Sequence, residues 1–263
     1  MRKKPRAMTT RRSMAWYGWL PDLPDHRDHA YQARRLAVRA LPTSIDLREN
    51  CSSIENQGAL GSCTANALVG ALEYLQIKDG RAATDLSRLF VYYNERAIEG
   101  TVSQDSGAML RDGIKSLALL GVCAESLWPY AISRFAQRPP RACYSRALQH
   151  RITSYQRLST LADMRNCLAS GYPFVFGFTV YQSFESATVA KSGRVDLPRS
   201  GEAALGGHAV VAVGYDDRSR RFTLRNSWGS TWGMQGYFTM PYDYLADRNL
   251  SDDFWTVRRG GDL

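Results

Sequence analysis

Asn56-Gln57-Gly58-Ala59-Leu60-Gly61-Ser62-Cys63, followed at once by Thr64-Ala65-Asn66-Ala67-Leu68, is the stretch on which the reading turns. Its glycines announce a tight loop. From Thr64 onward Ala65, Leu68, Val69, Leu72 and Leu75 recur at three- and four-residue intervals, which lays one apolar stripe along a helix. Cys63 then stands at or just before the first helical turn, with Gly61 and Ser62 supplying the turn and a candidate cap. Unpaired amide donors and the positive end of the helix dipole favour a thiolate at such a place. The thiolate, not the thiol, is the nucleophile, so a working cysteine needs a base to take its proton and a third group to aim that base.

Both partners follow in order. Gly206-Gly207-His208-Ala209-Val210 precedes Arg225-Asn226-Ser227-Trp228-Gly229. Of four histidines, His26 and His29 lie near the N-terminus and His150 sits in a polar stretch without glycines, which leaves His208 as the candidate base. Asn226 can accept the second imidazole N–H without adding a charge. Trp228 can shield that hydrogen bond from water, or can be plain core packing. Gln57 carries a side-chain amide that, with the Cys63 backbone N–H, can meet the oxyanion of a tetrahedral intermediate. Each residue alone also has a bland reading: a buried small apolar side chain, a structural histidine, a strand-end turn residue, a solvated loop glutamine. It is their conjunction that points to a thiol hydrolase.

The surrounding 263 residues are of ordinary globular composition, 44% apolar and 22% charged, and suit one large domain or two lobes with a shared interface. No run of eighteen apolar residues exists, so no membrane-spanning helix is expected. Of the net charge of +9, +7 belongs to residues 1–40, which hold ten Lys or Arg against three Asp. The basic character is therefore the leader's, which argues against a nucleic-acid-binding body; a weak nucleotide or phosphate contact through the arm stays open. The leader does not read as a secretory signal, because Arg11 and Arg12 interrupt it and Met14–Leu20 is short and aromatic before Pro21. Location is accordingly cytoplasmic, or exported without a recognisable signal, with Met8 or Met14 as alternative starts. Five cysteines is an odd number, and Cys51, Cys123, Cys143 and Cys167 lack zinc-like pairing, so they read as idle thiols with no structural disulfide and no metal or other cofactor.

Along the chain, residues 1–40 form an extended arm with a turn at Pro21–Asp25, and the packed body spans 41–263. Helices are expected at Thr64 onward, at Ser87 to about Ala97 with Leu89, Phe90, Tyr93 and Ala97 inward, at Met109–Leu120 ending on Gly121, and near Thr160–Ala169. Pro173–Val180, Ala209–Tyr215, Phe222–Asn226 and Gly236–Met240 read as strands, with Asp216–Ser219 as a hairpin turn. Helices first and antiparallel strands after give an α+β fold of two lobes, helical over about 41–150 and β over about 151–250, with a cleft between.

On these motifs the chain resembles the papain-like cysteine peptidases over roughly residues 41–240. Pro42–Arg48 resembles the family's mature start, and Asn56–Cys63 its nucleophile motif. Gly207–Val210 resembles the base motif, and Asn226–Gly229 with Trp232-Gly233 the orienting motif. His208 follows Cys63 by 145 residues and Asn226 by 163, against roughly 130–150 in the family. The resemblance implies a helical left lobe and a β-barrel-like right lobe. It makes Cys63 the nucleophile, His208 its partner, Asn226 the orienter and Gln57 the oxyanion donor. Ser106 and Gly107 resemble the family's substrate-binding glycine pair, and Met109, Gly177, Ala209, Gly207 and Trp228 are expected to line the substrate site.

Departures from the pattern matter too. Leu60 stands where secreted relatives carry a cysteine, and no partner appears near Gln104. Thr64 replaces a bulky aromatic, which puts the leaving-group side in question. A leader of about forty residues replaces the long propeptide, as in a bacterial branch of the family. The committed reading is a monomeric endopeptidase that cleaves peptide or protein substrates through a thioester. Residues 14–35 of its own arm are expected to lie across the cleft as an intramolecular inhibitor. A catalytically silent binding protein and an acyl transferase on the same fold are the competing classes.

Overall fold

A computed structural model describes residues 17–32 and 41–260. Residues 14–16 and 33–35 of the expected cleft-covering segment lie outside these, as do all the Lys and Arg of the basic leader, expected to touch phosphates, except Arg27. Among the described residues no helix is long and apolar enough to cross a membrane.

Helix α1, Cys63–Lys78, is the axis of the molecule. Its stripe is wider than the sequence pattern implies: every residue from Cys63 to Gln76 is buried. Helix α2, Arg88–Glu99, begins on Ser87, whose hydroxyl accepts from the Phe90 N–H, and ends on left-handed Gly100. Its inward face differs from the expected one. Ala97 is exposed and Tyr93 half-buried, while Glu95 and Arg96 are turned in. The reason is local satisfaction. Arg96 donates to the carbonyls of Tyr92, Val102, Gln104 and Phe135 and stacks on the Tyr92 ring, and Glu95 accepts from Thr64. Helix α3, Leu110–Leu119, stops before Gly121 as expected. Helices α4, Arg141–Ala147, and α5, Leu161–Ala169, follow, the latter with a Thr160/Asp163 capping box. The short α6, Ala187–Ser192, and α7, Tyr242–Ala246, complete the set.

The strands are β1, Trp19–Leu20; β2, Ser44–Asp46; β3, Ala108–Met109; β4, Ser154–Arg157; β5, Phe174–Tyr181; β6, Ala204–Asp216; β7, Arg221–Arg225; β8, Tyr237–Pro241; and β9, Ser251–Arg258. The four strands read from sequence are β5 to β8, and Asp216–Ser219 is the β6–β7 turn. One seven-stranded antiparallel sheet runs β4-β9-β5-β6-β7-β8, with β2 added to β6. It is open and not a closed barrel. The β8 edge is occupied by Gly193 and Val195, which exchange backbone hydrogen bonds with Thr239, so β8 has no pairing left for β4.

Strand alternation explains how the halves join. On β6, Ala209, Val211 and Val213 face the helical core around α1, whereas Val210, Ala212 and Tyr215 belong to the second core of phenylalanines and tryptophans. The N-terminal tip of α1 is thereby set against the strand that carries His208.

Candidate active site

Gly61 presents its N–H to the Asp105 carboxylate, at 3.0 and 3.2 Å, and that carboxylate also receives the Tyr92 hydroxyl. The loop before Cys63 is thus pinned to the segment after α2. Ser62 does occupy the N-cap of α1, but its hydroxyl goes to Tyr130 at 2.5 Å instead of to the helix amides. Thr64 faces away from the loop tip. It is wholly buried and donates to Glu95 at 2.9 Å, so the small residue after Cys63 is matched to a buried acid.

The Cys63 sulfur lies against the backbone amides of Ala209, Gly18 and Thr64. Ala209 follows His208 directly, and the His208 Nε2 sits 2.8 Å from Asn226 Oδ1. Because that amide oxygen only accepts, and also takes the Ser227 N–H at 2.9 Å, the imidazole must carry its proton on Nε2. Nδ1 is then the nitrogen that changes protonation. Trp228, 5% exposed, lies over the ring with centroids 4.9 Å apart and planes at 33°, which excludes water from the His208–Asn226 bond. Gln57 is fully buried and held at both ends of its amide: Oε1 accepts from Ser227 at 2.6 Å and Nε2 donates to the Leu60 carbonyl at 2.9 Å. Ser227 was not singled out from sequence, though it stands inside the Asn226–Trp228 motif.

Cys63 on α1 is thus tied to His208 on β6 through Ala209, and Asn226 and Gln57 join from two loops through Ser227. A family model for papain family cysteine proteases matches residues 41–252. The chain belongs to the papain family of cysteine proteases. Its structure is similar to that of xylellain, a cysteine protease from Xylella fastidiosa, with 44% identity, a TM-score of 0.89, and 95% of this chain and 98% of that one covered. In sequence it is 40% identical to an uncharacterised peptidase C1-like protein of Acanthamoeba polyphaga mimivirus, over 92% of this chain and 86% of that protein. The fold also matches procathepsin B S9 of Trypanosoma congolense, at 17% identity and a TM-score of 0.71, over 94% and 88% of the two chains. The two-lobed papain-like α+β fold and a cysteine-type hydrolase of peptide bonds are thus the fold and the activity class.

In this papain-family protease the arm fills the groove beside the sulfur. β1 pairs in parallel with β3, and the Ala108 N–H donates to the Gly18 carbonyl at 2.7 Å. Gly18 passes so close to the nucleophile loop that a Cβ there would stand 1.7 Å from the Gly61 oxygen. Trp19 inserts its ring over Gly177, where any Cβ would overlap it at 1.9 Å, and its carbonyl lies against Gly207. Gly177 pairs across the sheet with Ala209, and Met109 with Leu20 of the arm. Gly177 and Gly207 therefore line the pocket that takes Trp19, with Ala209 paired to Gly177 and Met109 paired to Leu20 alongside. Gly107 backs onto Gly18, but its N–H goes to the Tyr92 hydroxyl, and Ser106 turns its hydroxyl to Thr101. Beside Gly18 it is Ala108 that gives the arm a backbone donor.

The pocket has a floor that the sequence did not disclose. The Trp19 indole N–H donates to Asp253 at 3.1 Å, and Arg157 reaches the same carboxylate at 2.7 Å. Burial first, and the neighbouring Asp22 carboxylate second, push Asp253 up to about 7. Burial dominates Cys63 too. With the arm in place the thiol is pushed up to about 12, the nearby amides of Ala209, Gly18 and Thr64 pulling the other way.

Proposed function

We propose that the chain is an endopeptidase in which Cys63 attacks the scissile carbonyl, His208 shuttles the proton through Nδ1, and Asn226 fixes the ring. The attack forms a thioester and expels the amine, which leaves with the proton from His208; water then hydrolyses the thioester. Gln57, held by Ser227 and Leu60, supplies its side-chain amide to the oxyanion together with the first amides of α1. The observation that carries this reading is the 2.8 Å His208–Asn226 bond on the strand whose next residue, Ala209, touches the Cys63 sulfur.

We further infer that residues 17–32 restrain the enzyme. What the sulfur meets in the groove is the Gly18 amide, while the Gly18 carbonyl is spent on Ala108. The arm thus offers the nucleophile an N–H and keeps its carbonyl from the oxyanion position, which makes it a resistant occupant. A procathepsin among the structural neighbours is consistent with such a segment. Displacing the arm rehydrates Cys63 and lets the thiolate–imidazolium pair form.

An epoxide-type thiol reagent tests the chemistry. A single adduct on Cys63, lost in Cys63→Ala, and casein cleavage that disappears with it are expected. Labelling that persists in Cys63→Ala, or that falls on Cys167, refutes the assignment.

A further inference from the structure

Beyond the pocket, the arm is held by two separate carboxylate holes. Asp22, its side chain wholly buried, accepts the backbone N–H of Arg111 in the first turn of α3 at 3.0 Å and the Trp255 indole N–H at 2.9 Å. Asp28 is gripped in bidentate fashion by Arg111, at 2.9 and 2.6 Å, and by Arg157 at 3.0 Å. Both guanidiniums lie over the Trp255 ring, at 5.8 and 5.4 Å, which fixes their planes. Arg111 also donates to the Leu23 carbonyl, and its side chain is only 6% exposed. The arm bends at Asp25–Asp28 so that carboxylates six residues apart reach adjacent holes.

The charge balance changes if the arm leaves. Arg157 keeps Asp252 and Asp253, whereas the carboxylates that bind Arg111 both come from the arm. With the arm gone, the Arg111 guanidinium faces the vacated groove without a carboxylate partner and keeps the fork geometry that takes another one. We propose that Arg111, Arg157 and the first turn of α3 form a receptor for acidic peptide segments, occupied at rest by Asp22 and Asp28 and taken over by an acidic stretch of the substrate. The arm's own spacing describes the preferred ligand: an aromatic or apolar anchor in the Trp19 pocket, with a carboxylate three residues further on. This rests on the arm's occupying the substrate groove, and it names the substrate class for that groove.

The test uses the full-length chain carrying Asp22→Asn and Asp28→Asn, with Cys63→Ala to prevent turnover, titrated calorimetrically with two synthetic peptides. One has the sequence of residues 17–32; the other has Asn at positions 22 and 28. At low salt the acidic peptide is expected to bind at least tenfold more tightly. The difference should shrink at high ionic strength and vanish when Arg111→Gln is added. Equal affinities, no binding of either peptide, or a difference that survives Arg111→Gln overturns the proposal. If the multiple variant does not fold, Asp28→Asn with Cys63→Ala is titrated with the same pair, under the same criteria. Because the readout is binding to a silent chain, it is separable from the peptidase reading, which fails instead on the absence of an epoxide adduct at Cys63.

Discussion

Replacing Trp19 with alanine should switch the full-length enzyme on. The ring is 8% exposed, packs on Gly177 and donates to Asp253. Truncating a buried tryptophan in a rigid core costs about 3–5 kcal/mol. The lost hydrogen bond to a carboxylate is worth roughly 1.5–3 kcal/mol. These figures overlap and refer to sites that cannot refill with water, whereas an emptied groove can, so a net weakening of arm docking by about 3 kcal/mol is the working value. At about 1.4 kcal/mol per factor of ten, the open fraction rises on the order of 100-fold. Apparent substrate affinity scales with that fraction, so kcat/KM for a small fluorogenic peptide rises by the same factor until the open form dominates. Trp19→Phe keeps an aromatic ring in the pocket but loses the donor and part of the bulk, and should give a smaller rise, about tenfold. Iodoacetamide alkylation of Cys63 provides an independent measure and should accelerate in parallel. Global destabilisation lowers activity and cannot imitate the result. If kcat/KM and the alkylation rate of Trp19→Ala both equal those of the wild type, the arm does not gate the groove.

Other outcomes follow from the same geometry. Gln57→Ala should lower kcat by roughly 10²–10³ with little change in KM, read from steady-state kinetics in the Trp19→Ala background. Asn226→Ala, which removes the acceptor for His208 Nε2, should cost about 10–100-fold in kcat, by analogy with loss of an orienting partner at a ligand histidine, and should shift the pH profile of Cys63 alkylation. The arm should also respond to pH. Burial, with Asp22 beside it, raises Asp253 to about 7 in the docked state, so its contribution to docking is present below the ordinary carboxylate range and is lost as pH rises through about 7. Turnover by the full-length chain relative to Trp19→Ala should therefore climb between pH 5 and 8, and Asp253→Asn should flatten that slope.

The candidate site stood out in the sequence because its members sit in contexts that packing alone does not require: a glycine turn before a helix, two glycines before a histidine, an Asn-Ser-Trp-Gly corner. Most of the central sheet was legible for a similar reason, since β5 to β8 are apolar or aromatic runs with marked ends. β9 was missed because it opens Ser251-Asp252-Asp253, and Asp253 adopts a positive φ of 57° within it. That polar, kinked opening is the floor of the pocket, so the feature that hid the strand also hid the residue that receives Trp19. The buried face of α2 was misassigned on the same principle. Periodicity counts apolar residues, whereas Glu95 and Arg96 are buried through specific partners that no local pattern encodes.

The protonation state of the nucleophile shows where local sequence stops deciding. The helix terminus, with the Thr64 and Ala209 amides, favours a thiolate at Cys63, as the motif implies. Complete burial outweighs them and pushes the thiol up to about 12, and Gly18, a residue of the arm, is part of what covers it. Motif and burial thus act in opposite directions on one atom, and on the reading proposed above the arm decides between them. An inhibitor that works by desolvating the nucleophile needs no reactive contact of its own. Gly18 can accordingly be featureless, while affinity is supplied remotely by Trp19, Asp22 and Asp28. Variants at those three positions should alter Cys63 reactivity, read as its alkylation rate, in proportion to how much they weaken docking.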